Sequence, residues 1–246
     1  DASAVCKWDC YQRMTMLEPL IDYVLKTNVP GDVVEAGVFT GGVSIYLAAM
    51  LCSRGALGDA PGQRKLWMAD SFKGMPPETA SKGAGYSAEG FTAGTLVGTE
   101  DTVRRNFAHI AARVDLDVSA TGLPPASCRM PSTWPRLTML PSGAHTLPGW
   151  FNESLPGPIT QVALLRADSD LYVSIKDTLT RLYPLLSVGG FVVFDDFKFT
   201  QAQEAILGYR KAHGITSLLQ RSDALQPPPF RSLDKMVYWQ KDAVTG

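Results

Sequence analysis

The sequence predicts an α/β protein, doubly wound, with a mostly parallel sheet carrying helices on both faces. Three observations lead there. Short apolar or β-branched runs alternate with longer segments of helical periodicity between residues 32 and 212, the rhythm of parallel strands joined by crossover helices. The apolar runs are continuous, as strands buried on both faces are. Glycines and acidic residues stand just past these runs, at the rim where an open parallel sheet receives ligands.

Taken in order, Leu17, Leu20, Ile21, Val24 and Leu25 fall at helical spacing, so a helix over 15–26 ends at the Val29-Pro30-Gly31 turn and covers the sheet. A strand over 32–36 runs into Gly37-Val38-Phe39-Thr40-Gly41-Gly42, followed by a buried helix over 43–51. A second strand, 65–69, ends in Asp70-Ser71-Phe72, and the polar, glycine-rich stretch 73–99 is long enough to form a mobile lid. A helix is expected over 102–112. Pro124, Pro125, Pro131, Pro135, Pro141 and Pro148 then crowd one stretch, which reads as a surface excursion with at most a short strand near 137–140. The βα rhythm resumes with a strand at 162–166, a helix at 174–186, a strand at 191–194 and a helix at 201–212. Two late strands are expected near 215–219 and 236–239. No internal repeat is present, and 1–246 is expected to form one domain, with a helical cover over about 1–28 and a proline-rich excursion over about 115–149.

With 23 Lys+Arg against 24 Asp+Glu and a net charge of -1, the chain offers no basic stripe for nucleic acid and no polybasic patch for an anionic membrane. No apolar run approaches the roughly 20 residues that span a bilayer, so a soluble protein, cytoplasmic by default, is expected. The composition leaves room for a homo-oligomer. The four cysteines fit neither a zinc pattern nor a disulfide framework, and free thiols are the expectation, although Cys6 and Cys10 stand close enough to pair.

Chemistry concentrates at the strand ends. Asp168 and Asp170 follow the apolar run 161–165, and Asp195 and Asp196 follow 190–194. Carboxylates converging from two strands repel one another unless a positive charge lies between them, and a divalent cation such as Mg²⁺ is the simplest candidate, with Asp168, Asp195 and Asp196 as ligands. A hydroxyl beside such an ion becomes easier to deprotonate, with Asp168 or Asp170 as the proton acceptor. An Asp-Asp pair after a strand also caps helices, but two such clusters are harder to explain that way than one. In the first βα turn the glycines read G-x-x-x-G-G, which is not the dinucleotide fingerprint, and Glu35 lies two residues before the first glycine. An acidic residue there suits a positively charged ligand, and S-adenosylmethionine carries an ammonium and a sulfonium; the same turn also serves close helix packing. Asp70 is placed to accept hydrogen bonds from ribose hydroxyls. No serine stands in a nucleophile elbow, and the three histidines are expected at the surface, with His145 in the proline-rich excursion as the one that could approach a substrate.

These residues give the chain a resemblance to the macrocin O-methyltransferase family. The similar blocks are Pro30-Gly31-Asp32-Val33-Val34-Glu35-Ala36-Gly37-Val38 with Gly41-Gly42, Ala69-Asp70-Ser71-Phe72-Lys73-Gly74-Met75-Pro76, Leu165-Arg166-Ala167-Asp168-Ser169-Asp170-Leu171-Tyr172, and Gly189-Gly190-Phe191 to Asp195-Asp196-Phe197. The resemblance implies a seven-stranded, Rossmann-like methyltransferase sheet and Mg²⁺-dependent methyl transfer from S-adenosylmethionine to a hydroxyl of a sugar or polyol. It implies Asp168, Asp195 and Asp196 as metal ligands, with Asp168 also the base. It further implies that Glu35, Ala36, Gly37, Gly41, Gly42 and Ser44, together with Asp70 and Ser71, hold the methyl donor, with Met14 and Thr15 near its methionine end. Ala167, Ser169 and Phe39-Thr40 depart from the family pattern, and the stretch 116–147 is longer than it. These departures fall where an acceptor would be recognised, so the acceptor need not be a macrolide. Two rival readings are a metal-dependent glycosyltransferase using Asp168-Ser169-Asp170 as a D-x-D motif, and a non-catalytic binding protein of the same fold.

Overall fold

Parallel strands need crossover connections, and here they form a seven-stranded sheet of order β3-β2-β1-β4-β5-β7-β6. The computed structural model describes residues 8–77, 92–121, 140–221 and 236–243. Strands β1 (Asp32–Ala36), β2 (Leu66–Asp70), β3 (Ala144–Pro148), β4 (Val162–Ala167) and β5 (Leu186–Phe194) run parallel. β7 (Val237–Gln240) inserts antiparallel between β5 and the two-residue β6 (Gln220–Arg221). Because the chain winds outward from β1 through β2 to β3 and, separately, from β4 to β5, the order reverses between β1 and β4. A crevice opens at such a reversal, on the carboxyl side of the strands.

Alternate residues of each strand supply the two core layers. Val33, Leu66, Met68, Leu164 and Val193 pack with α1 (Trp8–Lys26), α2 (Gly42–Ser53) and α3 (Glu100–Thr121), through residues such as Leu17, Ile21, Leu47, Leu51, Val103 and Phe107. Val34, Ala69, Leu165, Val192 and Phe194 face the other way, onto Ile175, Leu179 and Leu182 of α5 (Tyr172–Leu182) and Ala202, Ile206 and Tyr209 of α6 (Thr200–Ala212). The short α4 (Phe151–Ser154) follows β3. Side chains buried on both faces leave no polar alternation along the strands, which is why the runs were readable.

Several expectations need correction. α1 starts at Trp8, well before residue 15, and α3 extends to Thr121. The stretch read as a proline-rich excursion contains strand β3, which among the described residues pairs only with β2. Pro148 closes that edge strand, where a missing N–H donor costs little. The strand expected near 137–140 lies outside the described residues, as does the 78–91 part of the expected lid. Pro184 ends α5 early by turning residues 183–185 into a 3₁₀ turn, so β5 begins at Leu186. The strand expected near 215–219 shrinks to Gln220–Arg221. Cys52, expected as a free thiol, is disulfide-bonded; connectivity of this kind cannot be deduced from sequence spacing. Among the described residues no helix is long and apolar enough to cross a membrane.

Candidate active site

Register builds the centre of the site. Glu35 on β1 is the cross-strand neighbour of Arg166 on β4, which pairs in turn with Val193 on β5. Asp195 stands two residues beyond Val193, on the same side of the sheet. Arg166 is therefore flanked by acids and is 1% exposed, as is Glu35. Its Nη1 donates to Glu35 Oε1 at 2.5 Å, and its Nη2 donates to Asp168 Oδ2 at 2.8 Å and also to Asp195 Oδ2. Ser44, in the first turn of α2, donates its hydroxyl to Glu35 Oε2. Burial lifts the Glu35 carboxyl to about 7, against the opposing pull of the Arg166 charge and the Ser44 hydrogen bond. Burial alone would lower the basicity of Arg166, but Asp195, Asp168 and Glu35 together hold it charged, above its ordinary range.

In front of this network stand Asp168, Asp170 and Asp196, whose carboxylates each offer an oxygen within 4.8 Å of the others. The strand tips are pinned: Asp168 N donates to Ala36 O at 2.8 Å, and Asp195 N to Ala167 O at 3.3 Å. Asp170 adopts a positive φ of 52°, and its N–H donates to Asp196 Oδ2 at 3.1 Å, which turns this residue back toward the cluster. Asp196 is held well above the ordinary carboxylate range, first by burial and then by the negative charges of Asp168, Asp170 and Asp195. Three carboxylates this close, one of them buried, fit a site for a divalent cation.

On the β1 and β2 side, Gly37 lines the cleft with φ 94°, and a Cβ there would sit 1.7 Å from Asp168 O. Only glycine allows the two strand tips to come this close. Asp70, at the tip of β2, accepts from Val38 N at 2.8 Å and Phe39 N at 3.1 Å through Oδ2, and from Phe72 N at 2.8 Å through Oδ1. It thus clamps the glycine loop while still lining the cleft beside Ser71. The cleft has a volume of about 580 Å³. Phe39, Met75, Leu96, Trp150, Phe151, Val173 and Phe199 border it with apolar surface, and Lys198 Nζ lies 4.3 Å above the Phe199 ring.

The structure therefore brings Gly37, Asp70, Ser71, Asp168 and Asp196 to one cleft. Ala36, Gly41 and Gly42 shape the turn behind it, Gly41 with φ 87° preceding α2. Glu35 and Ser44 are buried and bonded to each other, so their side chains support the loop from beneath. Thr15 belongs to α1 and does not line the cleft. Of the expected metal ligands, Asp168 and Asp196 join Asp170 in one cluster, and Asp195 accepts from Arg166 through Oδ2. His145 does not line the cleft: its Nε2 lies 2.7 Å from Asp59 Oδ1 and its ring is tilted against that of Trp67, with centroids 4.8 Å apart. Sequence reasoning missed Arg166, although a cation inside an otherwise apolar strand is a signal that buried acids surround it.

An open sheet with this strand order, its last strand antiparallel and its acids gathered at the β1/β4 reversal, defines a Rossmann-like methyltransferase. Comparison with known proteins narrows the class. The family model described as macrocin O-methyltransferase matches residues 9–117 and 129–227, and the chain belongs to that family. It is an O-methyltransferase. The chain is 32% identical over 213 residues to the 8-demethyl-8-(2,3-dimethoxy-α-L-rhamnosyl)-tetracenomycin-C 4'-O-methyltransferase of Streptomyces olivaceus, covering 86% of this chain and 70% of that protein. It is 32% identical over 237 residues to the demethyldecarbamoylnovobiocin O-methyltransferase of Streptomyces niveus, covering 94% and 73%. Among solved structures, the O-methyltransferase NovP superposes with a TM-score of 0.71 at 31% identity, covering 94% of this chain and 80% of that one. The glycosyltransferase reading of Asp168-Ser169-Asp170 finds no support in these relatives.

Proposed function

We propose that the protein transfers a methyl group from S-adenosylmethionine to a hydroxyl of a glycosylated small molecule, with a divalent cation, Mg²⁺, at the aspartate cluster. The carrying observation is the convergence of Asp168, Asp170 and Asp196 within 4.8 Å, next to a glycine turn and an acidic β2 tip in one cleft. A sugar-bearing acceptor is supported by the relative whose name specifies a rhamnosyl group. The rings of Trp150, Phe151 and Phe199, which line the cleft, suit stacking against a sugar ring or its apolar carrier.

Asp168, Asp170 and Asp196 would hold the cation, with Asp195 supporting them from behind through Arg166. Gly37, Asp70 and Ser71 would hold the donor, the glycine by letting the nucleoside approach the backbone and Asp70 by accepting from ribose hydroxyls with its remaining lone pairs. Once bound, the cation supplies polarisation of the acceptor hydroxyl and the donor supplies an already activated methyl group. Asp168, the most exposed of the Arg166 partners with 24% of its side chain open, takes the hydroxyl proton on its carboxylate. Arg166 fixes the orientation of that carboxylate at 2.8 Å. The remaining work is alignment, which can supply about 7 to 11 kcal/mol of rate enhancement in well-ordered sites.

The test is transfer of a radiolabelled methyl group from S-adenosylmethionine to a panel of deoxysugar glycosides, with Mg²⁺ and with EDTA. Transfer to a glycoside hydroxyl that stops in EDTA and resumes with excess Mg²⁺ is the expected result. Undiminished transfer in EDTA would remove the metal from the reaction.

A further inference from the structure

The mechanism leaves one buried group without a stated task beyond orientation. Arg166 sends one arm of its guanidinium to Glu35 and the other to Asp168 and Asp195. Through Glu35 the chain of hydrogen bonds continues to Ser44 in the first turn of α2, directly after the glycine turn. Glu35, Arg166 and Asp195 are each 1% exposed and Ser44 is fully buried, so water is excluded from this path and its polar groups depend on one another. Both ends reach the cleft: Asp168 lines it at the aspartate cluster, and Gly37, two residues after Glu35, lines it at the glycine turn.

We propose that Arg166 is a positioning residue that couples the two halves of the site, so that a divalent cation at the aspartate cluster tightens donor binding at the glycine turn and the donor tightens the cation. The proposal rests on the metal and donor assignments made above. Its physical basis is the sharing of one positive charge. A cation at the cluster competes with Nη2 for Asp168 and repels the guanidinium, which then commits more strongly to Glu35. Glu35, held more firmly between Arg166 and Ser44, fixes the end of β1 against the start of α2, and with them the turn on which the donor lies. Reciprocity follows from thermodynamics: whatever factor the cation contributes to donor affinity, the donor contributes to cation affinity. Neither Glu35 nor Ser44 lines the cleft, so an effect of either on this factor travels through the network.

The experiment is calorimetric titration of the full chain with S-adenosylhomocysteine, which cannot react, in EDTA and in saturating Mn²⁺. The reciprocal titration adds Mn²⁺, followed by electron paramagnetic resonance, with and without S-adenosylhomocysteine. Wild type is expected to show the same factor in both directions, at least about fivefold. In Glu35→Gln, which keeps a hydrogen-bonding side chain of the same shape, both ligands are expected to bind while the factor falls toward one. Arg166→Lys keeps the charge without the fork and is expected to show an intermediate factor; if that variant does not fold, Glu35→Gln decides. An unchanged factor in Glu35→Gln, or no coupling in a wild type that binds both ligands, overturns the proposal and leaves the metal and donor assignments standing. No binding of Mn²⁺ or Mg²⁺ to wild type overturns the metal assignment and the coupling together.

Discussion

The two halves of the cleft handle negative charge differently. At the β1 and β2 tips the acids are satisfied by the protein itself: Asp70 takes three backbone N–H groups, and Glu35 takes Ser44 and one arm of Arg166. At the β4 and β5 tips, Asp168, Asp170 and Asp196 face one another across less than 5 Å, and Asp196 is driven well above the ordinary carboxylate range by burial and its neighbours. Asp168 keeps one oxygen on Arg166, yet three acids held this close also suit a cation from outside. On the proposed assignment, the contrast separates holding the donor from activating the acceptor within a single rim.

The largest expected effect breaks the cation side. Asp196→Asn removes a ligand and is expected to lower Mg²⁺ affinity by more than about 100-fold and methyl transfer with it, whereas Asp195→Asn, altering only support from behind, should cost about 10- to 100-fold. Titration calorimetry of the two variants side by side measures this order, and a reversal would restore Asp195 as the ligand and demote Asp196. Next, Arg166→Met leaves Glu35 and Asp195 buried without their shared cation and should destabilise the fold by about 3 to 5 kcal/mol, read by urea unfolding. On the donor side, Gly37→Ala forces a Cβ into the Asp168 carbonyl, 1.7 Å away. It should lower both stability and S-adenosylhomocysteine affinity, the former by about 1 to 3 kcal/mol, while a mutation confined to the cation side spares donor binding in EDTA.

The smallest effect is in pH. Because folding raises the Glu35 carboxyl from 4.5 to about 7, the folded chain binds more protons than the unfolded chain between these values. Its contribution to stability is therefore fully present below 4.5 and is lost as pH rises through about 7. Comparing urea midpoints of wild type and Glu35→Gln from pH 4.5 to 8 should show the wild type losing ground steadily relative to the variant. A flat difference would place Glu35 at an ordinary value and weaken the picture of a buried network.

Much of this architecture was legible in the sequence because buried parallel strands write continuous apolar runs, and Val33, Leu164 and Val193 mark three of them. The ends of those runs located Asp70, Asp168 and Asp196 at one rim. Strand β3 was hidden because an edge strand tolerates Pro148 and carries few fully buried residues. The place of Asp170 beside Asp168 and Asp196 was also hidden: it depends on the positive φ of Asp170, which spacing does not specify. Arg166 escaped notice for a related reason, since only register brings Glu35 beside it.

One measurement bears on the whole most directly: the number of Mn²⁺ ions bound per chain, counted by electron paramagnetic resonance in wild type and in Asp196→Asn, with S-adenosylhomocysteine present. We expect a single ion in wild type, displaced by Mg²⁺, and none at the same concentration in the variant. A wild type that binds no ion, or a variant that binds one as tightly, would contradict the assignment of the aspartate tips to a shared cation.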